Sequence, residues 1–106
     1  MDDCIFCKVI RRELPSKPIH EDDVCIVIPD IHPQAAVHYL AIPKKHIEQF
    51  TDADDATILH LTQLIKKVIS KENIAGYRLV LNGKGAAIID HLHIHILGMV
   101  DKNRKL

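Results

Sequence analysis

An α+β fold built on an antiparallel sheet is what the sequence predicts, and three observations carry that reading. Apolar residues recur at helical spacing in a short stretch near the start and a long one in the middle. Short runs rich in Val, Ile and Leu, bounded by Pro, Gly, Asn and Asp, read as strands. The last run, His91-Leu92-His93-Ile94-His95-Ile96-Leu97, alternates histidine with aliphatic residues. On a strand that alternation puts three imidazoles on one face and Leu92, Ile94 and Ile96 on the other. A helix would scatter the rings.

Taken in order, Cys4 to Arg11 places Ile5, Phe6, Val9 and Ile10 for a short helix, which must stop by Leu14 because Pro15 disfavours a helical predecessor. Ile19-His20 begins a short edge strand, and Glu21-Asp22-Asp23 is a polar turn. Val24 to Ile28 is a buried strand by composition, ended by Pro29-Asp30, with Cys25 a small core residue inside it. Val37 to Ile42 is the next strand, sending His38, Leu40 and Ile42 one way and Val37, Tyr39 and Ala41 the other. Thr51-Asp52-Ala53-Asp54-Asp55 reads as a helix start, a capping hydroxyl followed by acids. Ile58, Leu61, Leu64, Ile65, Val68 and Ile69 then continue at helical spacing, with Gly76 just beyond the end. Tyr77 to Leu81 is a strand, and Asn82 to Ala87 is a small-residue loop leading to the histidines.

Composition narrows the function classes. At 106 residues, the span 1–106 is expected to be a single domain, small enough for dimerisation to help it. Formal net charge is zero, so no bulk electrostatic pull toward nucleic acid or an anionic membrane is expected. No apolar run is long enough to span a bilayer, and an acidic start is unlike a signal peptide. Three cysteines, an odd number with two close together, predict a cytoplasmic protein rather than a disulfide scaffold. The basic tail Lys102-Asn103-Arg104-Lys105 reads as a frayed terminus.

Three constellations carry chemistry. Cys4-x-x-Cys7 is half of a zinc site by residue type and spacing and needs two further ligands; a redox pair or spare thiols are the alternatives. The small residues from Asn82 to Ala87 would let backbone amides approach an anion. The histidine row can supply nucleophile, base or acid near neutral pH. Its outer rings start about 13 Å apart at about 3.3 Å per residue. One metal holding nitrogens at about 2.0–2.1 Å cannot take all three, so the histidines should divide their labour. The middle one, His93, has a neighbour on each side and is the natural nucleophile for a phosphoryl centre.

Several stretches together resemble the histidine triad (HIT) family. They are Cys4-Ile5-Phe6-Cys7-Lys8-Val9-Ile10, Glu13-Leu14-Pro15, Asp30-Ile31-x-Pro33, His38 through His46, and His91-x-His93-x-His95. The match spans nearly the whole chain and is closest to the Hint branch of purine nucleoside phosphoramidases. The resemblance implies a HIT-like fold, an antiparallel sheet of about five strands with two helices, dimerising into a continuous two-subunit sheet. It implies a hydrolase in which His93 attacks the α-phosphorus of a nucleoside 5′-phosphoramidate, and the nucleotidyl-histidine is then hydrolysed to the monophosphate. His95 and His38 match residues that orient the nucleophile and contact phosphate or leaving group. Asp30 matches the carboxylate that takes the ribose hydroxyls, and Ile5, Phe6, Val9, Leu14, Ile28 and Ile31 match the apolar slot for the purine. Asn82 matches a phosphate contact. Relatives with the Cys-x-x-Cys pair bind structural zinc through two histidines, which here fall on His46 and His91.

One departure stands out. Where the family usually carries Gly-Gly-Gln-Ser, this chain has Gly85-Ala86-Ala87-Ile88, so the amides of Ala87 and Ile88 would have to replace side-chain donors to phosphate. Three functions follow as expectations: phosphoramidate hydrolysis, dinucleoside polyphosphate hydrolysis, and purine-nucleotide binding with weak catalysis. A reading in which two histidines hold a catalytic zinc is a fourth.

Overall fold

Antiparallel pairing runs unbroken across one five-stranded sheet in the computed structural model, which describes residues 3–106. The strands are β1 (His20–Glu21), β2 (Cys25–Pro29), β3 (Val37–Pro43), β4 (Arg78–Leu81) and β5 (Ile94–Gly98), in the order β1-β2-β3-β5-β4. Helices α1 (Ile5–Ile10) and α2 (Asp55–Lys71) complete the α+β architecture.

The alternation read from β3 decides which helix covers which face. Ala41, with Val37 and Tyr39 beside it, packs with Cys25, Val27 and Ile96 of the sheet and with Leu61, Leu64, Ile65 and Val68 of α2. Leu40 and Ile42 point the other way, into a smaller cluster with Ile26, Ile28 and the Phe6 and Val9 side chains of α1. A fully buried Leu or Ile contributes about 1.5–3 kcal/mol relative to exposure, so the α2 face holds most of the fold's stabilisation. The α1 helix has only six residues and leaves much of its face of the sheet uncovered by helix. His38 lies on that face, as does His95, whose register partner on β3 is Leu40.

Several boundaries differ from the sequence reading. The cap of α2 is not Thr51, which sits in a 3-10 turn at Phe50–Asp52; Asp54 caps instead, its carboxylate accepting from the Thr57 N–H at 2.8 Å. The left-handed residue that ends α2 is Asn73 (φ 52°), not Gly76. The Ile74 N–H reaches back to the Ile69 carbonyl and the Asn73 N–H to that of Ser70, closing a Schellman motif. Val24 and Tyr77 fall outside their strands.

Another concerns the histidine row. The β5 ladder begins only at Ile94, so His91 and His93 precede it. There the Leu92 N–H is bonded to the Ile47 carbonyl at 2.6 Å, outside the sheet ladder. The alternation survives the missing ladder: Leu92 and Ile96 are buried in the α2 cluster, while the rings of His91, His93 and His95 turn the other way, toward Phe6 and one another.

Candidate active site and metal centre

The Cys/His centre forms where the start of α1 meets the ends of β3 and β5. Cys4 is the N-cap of α1, its sulfur accepting the Cys7 N–H at 3.4 Å. His46 follows the end of β3, and His91 precedes β5. Cys4 Sγ lies 3.3 Å from His91 Nδ1, and Cys7 Sγ lies 3.2 Å from His46 Nδ1. All four ligand atoms fall within 4.8 Å of one another. A tetrahedral zinc with sulfur at about 2.3 Å and nitrogen at about 2.0–2.1 Å spaces such atoms at about 3.6 Å, so the set fits a metal ion.

Outer contacts support the same reading. The fully buried His91 places Nε2 2.8 Å from the Pro43 carbonyl, which can only accept, so its proton is on Nε2 and Nδ1 is a free ligand. Glu48 stands 3.6 Å from His46 Nε2. Burial, then the neighbouring Cys4, push the Cys7 thiol up, so a thiolate there needs a cation beside it. A cavity of about 340 Å³ opens onto Cys4 and His46 and carries the carboxylates of Asp3, Glu48 and Asp90. The third cysteine, Cys25, is fully buried, and burial pushes its thiol up to about 12, as suits an inert core residue.

The second constellation is ordered by its hydrogen bonds. His93 Nδ1 is 2.7 Å from the His91 carbonyl; a carbonyl only accepts, so Nδ1 carries the proton and Nε2 a lone pair. No buried side-chain nitrogen or oxygen among the described residues lacks a partner, so this Nε2, for which none is seen, reaches solvent. The Gln34 N–H donates to His38 Nδ1 at 3.0 Å, which puts the proton of neutral His38 on Nε2. That nitrogen faces His95 Nδ1 at 2.9 Å and Asp30 Oδ2 at 3.3 Å. His95 therefore accepts through Nδ1 and carries its own proton on Nε2. Burial, first among the causes, holds both His38 and His95 below the ordinary histidine range, with neighbouring histidines adding to it at His95. Phe6 packs edge-on against His91 and His93, at 5.8 and 5.0 Å between ring centroids, and so couples the two constellations.

The remaining expected residues scatter more. Phe6, Val9 and Ile28 are buried in the α1 cluster, whereas Ile5, Leu14 and Ile31 are exposed, Ile31 at 86%. Asp30 is half-buried, with Oδ1 accepting the His32 N–H at 2.8 Å. In the loop after β4, Asn82 and Ala87 are half-buried and Ile88 is fully exposed. Two amides of that loop are engaged internally, Lys84 by the Gln49 side chain and Ala86 by the Gly83 carbonyl.

Two residues escaped the sequence reading. Gln34, which fixes the His38 tautomer, does so through its backbone, and no side-chain pattern announces that. Arg104, in the tail read as frayed, donates to the Gln34 carbonyl at 2.6 Å, beside the histidines.

Comparison with known proteins agrees with this fold. Residues 3–105 match the family model described as the scavenger mRNA decapping enzyme C-terminal binding region. A HIT-like protein of Synechococcus elongatus is 42% identical over 103 residues, covering 92% of this chain and 90% of that one. Among solved structures, a HIT family hydrolase from Clostridium thermocellum superposes with a TM-score of 0.91 at 40% identity, covering 100% of this chain and 98% of that one. A histidine triad protein from Clostridium difficile gives 0.89 at 32% identity, with coverages of 100% and 98%. The chain belongs to the histidine triad family.

Proposed function

We propose that this chain is a single HIT domain, and a nucleotidyl hydrolase of the Hint type, cleaving the P–N bond of purine nucleoside 5′-phosphoramidates. One observation supports it above the rest: the hydrogen bonds leave His93 with a lone pair on a solvent-reachable Nε2 and His95 with a proton on its own Nε2. His93 Nε2 attacks the α-phosphorus, the P–N bond breaks, and the leaving amine takes its proton from the His95 side. Water then cleaves the nucleotidyl-histidine to give the monophosphate and restore the ring. His38 holds His95 in the donating tautomer, as a positioning residue. Asp30 accepts the ribose hydroxyls, the apolar residues of α1 and β2 flank the purine, and amides near Asn82, Ala87 and Ile88 meet phosphate.

Cys4, Cys7, His46 and His91 would hold a zinc ion, which supplies a structural cross-link between α1 and the sheet when bound. The exposed Leu79 and Leu81 on edge strand β4 support a homodimer joined through that edge. Three free cysteines support a cytoplasmic setting. No helix among the described residues is long and apolar enough to cross a membrane.

Incubation of the wild type and His93→Ala with adenosine 5′-phosphoramidate tests the assignment. The wild type should release AMP and the mutant should not; equal rates would refute the nucleophile. The phosphate loop, short of side-chain donors, favours a second reading, a purine-nucleotide-binding module with weak catalysis. That reading predicts tight AMP binding with negligible turnover in the wild type. Competition by a diadenosine polyphosphate would bring out the third activity.

A further inference from the structure

Outside the Cys/His centre, a second set of ligand atoms stands within reach of one ion. Asp30, His38 and His95 each offer an atom, and all three lie within 4.8 Å of one another. His38 Nε2 is 2.9 Å from His95 Nδ1, and Asp30 Oδ2 is 3.3 Å from His38 Nε2. Nitrogen and oxygen ligands at about 2.0–2.1 Å around a tetrahedral ion are spaced at about 3.3 Å, close to both distances. The carboxylate is already oriented, because its other oxygen holds the His32 N–H at 2.8 Å. Two imidazoles and a carboxylate suit a borderline transition ion such as Zn²⁺ over Mg²⁺.

We propose that Asp30, His38 and His95 form a second, exchangeable transition-metal site, at which Zn²⁺ excludes nucleotide and inhibits the protein. The inhibitory part rests on the function proposed above; the binding part does not. His95 Nδ1 already presents a lone pair to the gap. His38 does not: its proton sits on Nε2 and must move to Nδ1, where the Gln34 N–H now points. That amide has to turn outward, which the exposed segment from Ile31 to Gln34 permits. The cost of this hydrogen bond separates the two centres. The Cys/His set has both histidine nitrogens facing its sulfurs and two soft sulfurs, so it retains its ion, while the second site exchanges. An ion at the second site also removes the His38–His95 hydrogen bond and occupies Asp30, so metal and nucleotide cannot share the site.

Zinc titration of the full chain, followed by bound-metal stoichiometry, tests this. The wild type should bind a second, weaker equivalent that AMP displaces. Asp30→Ala and His95→Ala should each lose that equivalent and keep the first, while Cys4→Ser should lose the first and keep the second. Cobalt in place of zinc should give sulfur-to-metal charge-transfer absorption for the first equivalent and none for the second. A second equivalent that persists in both Asp30→Ala and His95→Ala would place it elsewhere and overturn the proposal. A single equivalent in the wild type would also overturn it. If the second equivalent binds but adenosine 5′-phosphoramidate is not turned over, the hydrolase reading fails and the metal site stands. If turnover is present and zinc leaves its apparent KM unchanged, competition with nucleotide fails.

Discussion

His93 is defined by what holds its other nitrogen. The His91 carbonyl accepts from Nδ1–H, so the lone pair left on Nε2 is set by a backbone atom two residues away. His93→Ala should cut turnover by on the order of 10³-fold or more while AMP affinity, read by calorimetry, is kept. A parallel loss of affinity would mean the ring serves binding instead. Protonation is the second expectation at this scale. Burial holds His38 and His95 below the usual range, so as pH falls below about 6.5 the unfolded chain takes up protons before the folded one. Stability is therefore complete above that pH and declines as pH falls toward the folded values. The urea midpoint should drop between neutral and mildly acid pH, and His38→Gln should flatten the drop. An identical slope in the variant would mean that His38 does not contribute.

At the scale of elements, β5 lies between β3 and β4 and sets the register of both. Its last residue, Gly98, pairs with Val37 of β3, and a Cβ added there would stand 2.6 Å from the Ile74 side chain and 2.8 Å from Val37 Cβ. Gly98→Ala should destabilise the fold by about 1–3 kcal/mol, measured by urea unfolding, because β3 and β5 would have to separate to admit it. An unchanged midpoint would show that the β3–β5 pair admits the methyl without separating. Most elements were legible because each is a local pattern: the split of β3 between two faces and the apolar stripe of α2 follow from periods of 2 and 3.6. The misses were equally local ambiguities. Thr51 and Asp54 are both competent caps by residue type, and only the course of the folded chain decides between them. Asn73 takes the left-handed conformation ahead of Gly76 because α2 ends there, a matter of packing rather than composition.

For the molecule as a whole, α1 is attached to the sheet by a small apolar cluster and by the Cys/His centre. Metal removal should therefore act on stability first. A strong chelator should lower the thermal midpoint, and Cys4→Ser should lower it to a similar degree without further response to chelator. Cys25→Ser, in the core away from the centre, should leave the chelator response intact. A chelator with no effect on the midpoint of the wild type would remove the structural role from that cluster. The pairing of the two thiols was legible at Cys4-x-x-Cys7, whose spacing is local. The partition of histidines between centres was legible only in outline, from the reach of a single ion.

The chain alone determined the kind and order of the main helices and strands, the two faces of the sheet and the side to which the histidines turn, because all three follow from short-range periodicity and the size of the side chains. Tertiary structure decided the rest. His38 meets His95 across 57 positions and Cys4 meets His91 across 87, and such pairings depend on strand order and closure. It also decided where each imidazole keeps its proton, since that is set by backbone groups such as the His91 carbonyl and the Gln34 amide, which every residue carries and no sequence pattern marks.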